Sequence, residues 1–261
     1  MGLSLSRSGR LPANHGSPVG VRPRPAGAQA LRVMAGVPSA GPMSIGLVAG
    51  WSFPATVFDP LLRHLPRDEV ITLDWNGFAA GWLGSEGRGE VTAPSCPATW
   101  LGWSLGGALL LEAVRRHSLR PARLVLVQAT PRFLAADGWP GIDFDDWQAL
   151  RRAAERYPTR AAAAFRRRFG LPLNPSSDAG LADAVGLDWL ARLDLRDTLS
   201  GIGVPVEIWL APDDPLVPYD WPRHMDLPAH VRVHRFERGG HAAWLDHPAR
   251  LARFMLRSPA R

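Results

Sequence analysis

From residue 45 onward, short apolar runs alternate with segments in which apolar positions repeat at three and four residues. Short apolar runs bounded by Gly, Pro or Asp are typical of buried strands, whereas the longer spacing predicts helices. The predicted strands are 45–49, 70–73, 98–101, 124–127, 204–210 and 231–236, and the predicted helices include 58–65, 106–117 and 249–256. Because strands alternate with helices, we expect an α/β fold: a mostly parallel sheet with helices on both faces.

Two regions depart from this alternation. Residues 132–190 carry tryptophans and arginines on helical stretches without a strand pattern, which predicts a helical lid inserted into a core formed by 43–131 and 191–261. Residues 1–42 are rich in Gly, Pro, Ser, Ala and Arg and hold no acidic residue, so we expect a disordered N-terminal extension. Met1, Met34 and Met43 are three candidates for the first translated residue.

The composition and charge of the chain limit the classes of molecule that it is expected to bind. The 261 residues suit one sizeable domain, and no apolar run approaches the roughly 18 residues that span a bilayer, so we expect no membrane insertion. The 30 basic residues are all arginine and the net charge is +6, which favours acidic partners. No nucleic-acid motif accompanies this charge, so we expect no nucleic-acid partner. Cys96 is the single cysteine, which excludes an internal disulfide and fits a cytoplasmic monomer.

The stretch LGWSLGG, residues 101–107, contains a candidate nucleophile. Gly-x-Ser-x-Gly between a strand and a helix is the pattern of a nucleophile elbow. The turn is so tight that a side chain at Gly102 or Gly106 would collide with nearby backbone. Ser104 would then stand at the carboxyl ends of the strands, at a helix N-terminus that favours developing negative charge.

A serine hydroxyl needs a base, and the base needs a carboxylate that orients it. With this elbow the chain order is Ser, then Asp or Glu, then His. His241 follows paired glycines after a predicted strand, whereas His247 precedes a proline and is typical of a helix start. Asp213 and Asp214 both follow the strand before it; we favour Asp214, and Asp213 remains as a residue that caps the turn.

The negative charge on a reacting carbonyl oxygen needs two N–H donors. One is the backbone N–H of Leu105, directly after the nucleophile. We assign the other to the N–H of Trp51, in the turn after the first strand, and its indole would also wall the substrate pocket. This chemistry requires no metal and no organic cofactor.

At these residues the sequence resembles the α/β-hydrolase superfamily, and more narrowly the family of pimeloyl-[acyl-carrier protein] methyl ester esterases of biotin synthesis. The segments that carry the resemblance are Gly50-Trp51, LGWSLGG at 101–107, ATPRFLAADGWPGI at 129–142, LDLR at 193–196, DPLVP at 214–218, Gly240-His241 and His247-Pro248. The sequence departs from the family where Ala49 replaces a histidine and where DWNGFA stands at 74–79; the first strands before Ile45 are missing and the lid is shortened after Phe169.

The resemblance implies roles for lid residues. Arg160 lies where the family binds its acidic carrier protein, and Ala164 lies where another arginine is expected, so Arg166, Arg167 and Arg168 would compensate. The resemblance places Phe165, these three arginines and Phe169 along the path of the acyl chain, with Trp51, Ser104, Leu105 and His241 at its reacting end. The implied partner is an acyl-carrier protein that bears the ester substrate.

Three functions are compatible with these residues. The first is hydrolysis of the methyl ester of pimeloyl-acyl-carrier protein. The second is a general carboxylesterase for short acyl esters, with the same Ser104, His241 and Asp214 but no carrier protein. The third is a receptor that keeps the fold and binds a small ligand without reaction.

Overall fold

The fold is described by a computed structural model that covers residues 44–84, 98–173 and 179–257. The predicted disordered extension at 1–42, the candidate start methionines and Cys96 lie outside the described residues.

The centre of the structure is a six-stranded sheet in the order β2-β1-β3-β4-β5-β6. Every neighbouring pair runs parallel, so the predicted parallel sheet is confirmed. The strands are β1 Ile45–Val48, β2 Val70–Leu73, β3 Thr99–Trp103, β4 Arg123–Val127, β5 Val206–Leu210 and β6 Val231–Arg235. Strand β3 extends beyond the predicted end at residue 101, because Trp103 still pairs with Val127 of β4.

Helices follow most strands. The α-helices are α1 Asp59–Leu62, α2 Trp75–Phe78, α3 Leu105–Arg115, α4 Phe144–Arg156, α5 Pro158–Arg168, α6 Ala184–Arg192, α7 Arg196–Ser200 and α8 Pro248–Met255. Shorter helical turns occupy Ala55–Phe58, Arg67–Glu69, Ala79–Leu83, Ala179–Leu181, Trp221–His224 and Gly240–Asp246. Helix α3 stops before the predicted end at His117, because His117 adopts a left-handed φ of 57°.

Strand residues alternate between two apolar clusters, one on each face of the sheet. In β4, Leu124 and Leu126 belong to the cluster on one face, while Val125 and Val127 belong to the cluster on the other. Helix α3 packs its leucines on the first face, and α8 packs Leu251 and Met255 on the second. Each fully buried aliphatic side chain stabilises the fold by about 1.5–3 kcal/mol, so both faces contribute to holding the carboxyl ends of the strands in place.

The chain between β4 and β5 leaves the sheet and returns at one place. We name residues 132–194, which carry α4, α5 and α6, the helical segment. The N–H of Leu195 donates to the carbonyl of Pro131 at 2.8 Å. The guanidinium of Arg132 lies 2.6 Å from the carboxylate of Asp194. The two ends of the helical segment are therefore fastened to each other at the sheet.

Two of these helices begin at aspartates that cap them. The carboxylate of Asp143 accepts the N–H of Asp145 at the start of α4, and the carboxylate of Asp183 accepts the N–H of Gly186 at the start of α6. Such caps satisfy N–H groups that have no partner inside the helix. In the described part of the chain, no helix is long and apolar enough to cross a bilayer.

Candidate active site

Ser104 occupies a sharp turn between β3 and α3. Its φ of 55° and ψ of −121° are strained for a residue with a side chain. A Cβ added at Gly102 would lie 2.5 Å from the backbone of Gly107, and one at Gly106 would collide with the carbonyl of Val48. The two glycines are therefore required by close backbone approach, as the sequence pattern predicts.

The hydroxyl of Ser104 lies 2.8 Å from Nε2 of His241. On the other side of the imidazole, Nδ1 lies 2.9 and 3.1 Å from the two carboxylate oxygens of Asp214. The side chains of His241 and Asp214 are almost fully buried. The structure thus brings together in one hydrogen-bonded series three side chains that are far apart in the sequence.

The two neighbouring aspartates differ in what they contact. Oδ1 of Asp214 also accepts the N–H groups of Leu216 and Val217, which fixes the carboxylate against His241. The carboxylate of Asp213 instead accepts the N–H groups of Gly239 and Gly240, both at 3.1 Å. These hydrogen bonds lower the pKa of Asp213, although its slight burial raises it. His247 lies at the start of α8, where the sequence placed it.

The two predicted N–H donors lie beside Ser104. Leu105 is the first residue of α3, so its N–H has no acceptor inside the helix. Gly50, directly before Trp51, packs so closely that an added Cβ would lie 3.1 Å from Cβ of Ser104. Among the described residues neither the Leu105 nor the Trp51 backbone N–H donates to an acceptor. Both amides thus lie without an acceptor, among the described residues, in the two turns that meet at Ser104.

The strand order, the elbow and the hydrogen-bonded series agree with a family comparison. A model of the alpha/beta hydrolase family matches residues 46–254, which is most of the chain. The chain belongs to the alpha/beta hydrolase family.

Curated relatives of this hydrolase narrow the comparison. A pimeloyl-[acyl-carrier protein] methyl ester esterase of Aliivibrio salmonicida is 31% identical, over 77% of this chain and 86% of that protein. One of Methylococcus capsulatus bearing the same name is 30% identical, over 80% of this chain and 91% of that protein. Among solved structures, an esterase from Exiguobacterium antarcticum has a TM-score of 0.66 at 21% identity and covers 84% of this chain and 92% of that chain.

A small pocket, with a cavity volume of about 20 Å³, opens onto Ser104 and His241 of the hydrolase. Its lining is mostly apolar: Gly50, Trp51, Phe53, Trp103, Phe133, Leu150, Phe165, Leu171, Leu187, Leu190 and Leu216. The sheet side supplies Trp51 and Trp103, while the helical segment supplies Leu150, Phe165 and Leu187. This apolar lining matches an acyl chain whose carbonyl lies at Ser104.

The structure separates the arginines that the sequence grouped along the acyl path. Arg167 and Arg168 are exposed on α5, as is Arg160. Arg166 is buried and turns toward Ser52 and Phe53, so it is not part of a surface cluster with its neighbours. Helix periodicity explains the difference, because consecutive residues on a helix point about 100° apart. Phe165 lines the cavity and packs against Phe169 at 5.1 Å between ring centroids.

Sequence reasoning missed residues that hold His241. Nε1 of Trp103 donates to the carbonyl of His241 at 2.8 Å. The side-chain amide of Gln128, a buried residue with a φ of 47°, donates to the carbonyl of Gly240. Gln128 directly follows β4, at the same sheet edge as the catalytic candidates, and this position was the available signal. Within the residues that the structure describes, no group of three or more His, Cys, Asp or Glu side chains is arranged to hold a metal ion.

Proposed function

We propose that this hydrolase removes the methyl group from the ester of a pimeloyl chain carried on acyl-carrier protein, through an acyl-enzyme at Ser104. The observation that carries the proposal is the 2.8 Å contact between Ser104 and His241 at the mouth of an apolar cavity. The names of the curated relatives, at about 30% identity over about 80% of the chain, support the substrate.

The chemistry follows from the geometry. Nε2 of His241 takes the proton of Ser104 as its Oγ bonds to the ester carbon, and Asp214 holds the imidazole in the required tautomer. The N–H groups of Leu105 and Trp51 stabilise the oxyanion. The carbon–oxygen bond then breaks, His241 returns the proton to the leaving methanol, and a water activated by the same imidazole releases the free acid from Ser104.

The cavity favours an ester over its product. Of the residues that line it, His241 is the only one with a titratable side chain, and the rest are apolar apart from Ser104. A neutral methyl ester enters such a site without losing the hydration of a charge, whereas a free carboxylate would lose it. We infer that this difference helps to release the acid. We also propose that the helical segment acts as the lid of the site, since its helices α4, α5 and α6 all supply residues to the wall.

The carrier would bind on α5. Arg160, Arg167 and Arg168 are exposed there, and none of them pairs with a carboxylate in the described part of the chain. Exposed arginines that pair with no carboxylate attract an acidic surface and accelerate its approach. We place the reaction in the cytoplasm, where a chain with one cysteine needs no disulfide.

The direct test uses the purified protein with pimeloyl-acyl-carrier protein methyl ester. Mass spectrometry of the carrier should show the loss of one methylene unit per turnover. Ser104→Ala should reduce kcat on the order of a millionfold, as for a comparable triad. A near-normal rate in that variant would contradict the assignment of Ser104. Complementation of a biotin-requiring strain that lacks its esterase checks the same activity in cells.

A second test separates the carrier-dependent enzyme from a general carboxylesterase. The triple variant Arg160→Glu, Arg167→Glu and Arg168→Glu should raise KM for the carrier-bound ester roughly tenfold or more, but not KM for a small aryl ester. The matched control reverses Arg63 and Arg67, which lie outside the helical segment. Equal losses on both substrates would contradict docking on α5. A protein that a fluorophosphonate does not label would be a receptor rather than an enzyme.

A further inference from the structure

The turn that carries the Trp51 N–H is strained. Ser52, the next residue, is fully buried and has a φ of 68°, in the left-handed region that residues with a side chain seldom adopt. A conformation of this kind persists only where neighbouring groups hold it. The groups that hold Ser52 therefore determine the geometry of a proposed oxyanion donor.

Those groups belong to the helical segment rather than to the sheet. The N–H of Ser52 donates to the carbonyl of Leu181 at 2.7 Å. The indole N–H of Trp51 donates to the carbonyl of Asp183 at 2.9 Å. Nε of Arg166 lies 3.3 Å from Oγ of Ser52.

Arg166 contacts the turn in a second way. Its guanidinium lies 4.3 Å from the ring centroid of Phe53, which is a favourable distance for a cation over an aromatic face. The side chain is only 2% exposed, and burial lowers the pKa of its guanidinium. Burying a cation is costly unless it makes compensating contacts, and here those contacts include both residues that follow Trp51.

We propose that Arg166 is a positioning residue, which holds the turn Trp51–Phe53 so that the Trp51 N–H points at the oxyanion formed on Ser104. The proposal rests on the proposed function. Trp51 is fixed at its indole by Asp183, and the residue after it is fixed by Leu181 and Arg166, so its peptide group is held from two sides. The packing of α5 against this turn therefore also aligns the N–H of Trp51.

The test compares Arg166→Gln with Arg152→Gln, an exposed arginine of the neighbouring helix α4. The substrate is a small aryl ester, which avoids any effect on carrier binding. Arg166→Gln should lower kcat roughly tenfold to a hundredfold, somewhat less than the about 10²–10³ for deletion of a whole donor. KM should stay within about twofold, because the oxyanion exists only in the transition state. Arg152→Gln should match the unmodified protein.

A boronic acid inhibitor gives a readout that a purely structural role would not change. Its adduct with Ser104 places an oxygen where the oxyanion forms, so Arg166→Gln should weaken its binding by about the same factor as kcat. A lower melting temperature with unchanged kcat and unchanged boronate affinity would overturn the proposal.

Ser52→Gly keeps the test decisive if Arg166→Gln does not fold. Glycine adopts the left-handed conformation freely, so this variant removes the hydroxyl without adding strain. It should also lower kcat. Where both single variants fold, the double variant should lose no more than the worse single variant. Unchanged kcat in Ser52→Gly, or fully additive losses, would overturn the proposal. An unmodified protein that cleaves no ester would instead overturn the proposed function.

Discussion

The indole of Trp103, the residue before Ser104, donates a hydrogen bond to the backbone carbonyl of His241 at 2.8 Å. The strand that ends in the proposed nucleophile therefore also holds the backbone of the proposed base. The ring centroids of Trp103 and His241 lie 5.8 Å apart, so the two side chains pack against each other as well. The distance between Ser104 and His241 is fixed by a neighbour that is not itself part of the reaction.

Trp103→Phe should therefore lower both stability and activity. Phenylalanine retains an aromatic ring but leaves the buried carbonyl of His241 without this donor, which costs about 1–3 kcal/mol. We expect a lower melting temperature by calorimetry and a kcat reduced several-fold. Trp244→Phe is the matched control: its ring packs against Trp103, but its indole N–H has no hydrogen-bond partner among the described residues. If both variants lost kcat equally, packing rather than the hydrogen bond would be responsible.

Asp214→Asn should reduce kcat on the order of 10⁴-fold, because an amide favours the wrong tautomer of the imidazole. The matched control is Asp213→Asn, one residue earlier. Among the described residues, the carboxylate of Asp213 accepts hydrogen bonds from Gly239 and Gly240 but not from His241, so we expect its loss to cost much less in kcat. Steady-state kinetics with one soluble ester measures both. A larger loss in Asp213→Asn would reverse the assignment of the two carboxylates.

Gly106→Ala should destabilise the fold by about 2 kcal/mol or more. The added methyl group would meet the carbonyl of Val48 in the neighbouring strand, and backbone cannot move aside as a side chain can. Gly203→Ala is the control, since nothing lies within 4 Å of the added Cβ there. Urea denaturation should show a lower midpoint for the first variant only. An unchanged midpoint in Gly106→Ala would mean that the elbow is looser than described.

Low pH should remove the contribution that the Asp194 carboxylate makes to the stability of the fold. Hydrogen bonds from Arg196 and then Arg132 lower the pKa of this carboxyl to about 2, although partial burial raises it. A lowered folded-state pKa stabilises the protein above the unfolded-state value, and this stabilisation disappears as the pH falls through about 2. Asp194→Asn should thus lower Tm on the order of 2–4 °C at neutral pH and much less near pH 2.

Asp68→Asn provides the control for that pH series. Asp68 is an exposed carboxylate in no ion pair among the residues described, so its replacement should leave Tm nearly unchanged. A Tm difference for Asp194→Asn that stayed constant between neutral pH and pH 2 would contradict the role given to Arg196 and Arg132.

Much of the fold could be predicted because its signals are local. Most of the β-strands are short apolar runs, β6 alternates apolar with polar positions, and the parallel order follows from the helices between the strands. The nucleophile elbow could be predicted because Gly-x-Ser-x-Gly is itself a local pattern, although the clash that requires Gly106 is with Val48 of the distant strand β1. His241 and Asp214 required one further rule, that parallel strands present their carboxyl ends at one edge.

What could not be predicted depends on packing between distant segments. Three consecutive arginines stand at 166–168, yet only Arg166 is buried, because α5 turns that position toward Ser52. Trp103 occupies a variable position inside the Gly-x-Ser-x-Gly motif, but no pattern shows that its indole reaches a carbonyl more than a hundred residues away. Contacts between residues so far apart in the sequence depend on tertiary packing, which the spacing of apolar residues does not predict.

The fastening of residues 131–132 to 194–195 gives the helical segment the properties of an exchangeable module. Because its two ends meet at one point, a helical segment of another length or sequence can be grafted between them without pulling the strands apart. The graft must still supply a carbonyl for Ser52 and one for the indole of Trp51, as Leu181 and Asp183 do here. Evolution of new acyl preferences in this scaffold is thus constrained by the fastened ends of the helical segment, by the Leu181 and Asp183 carbonyls, and by Arg166, which holds the same turn.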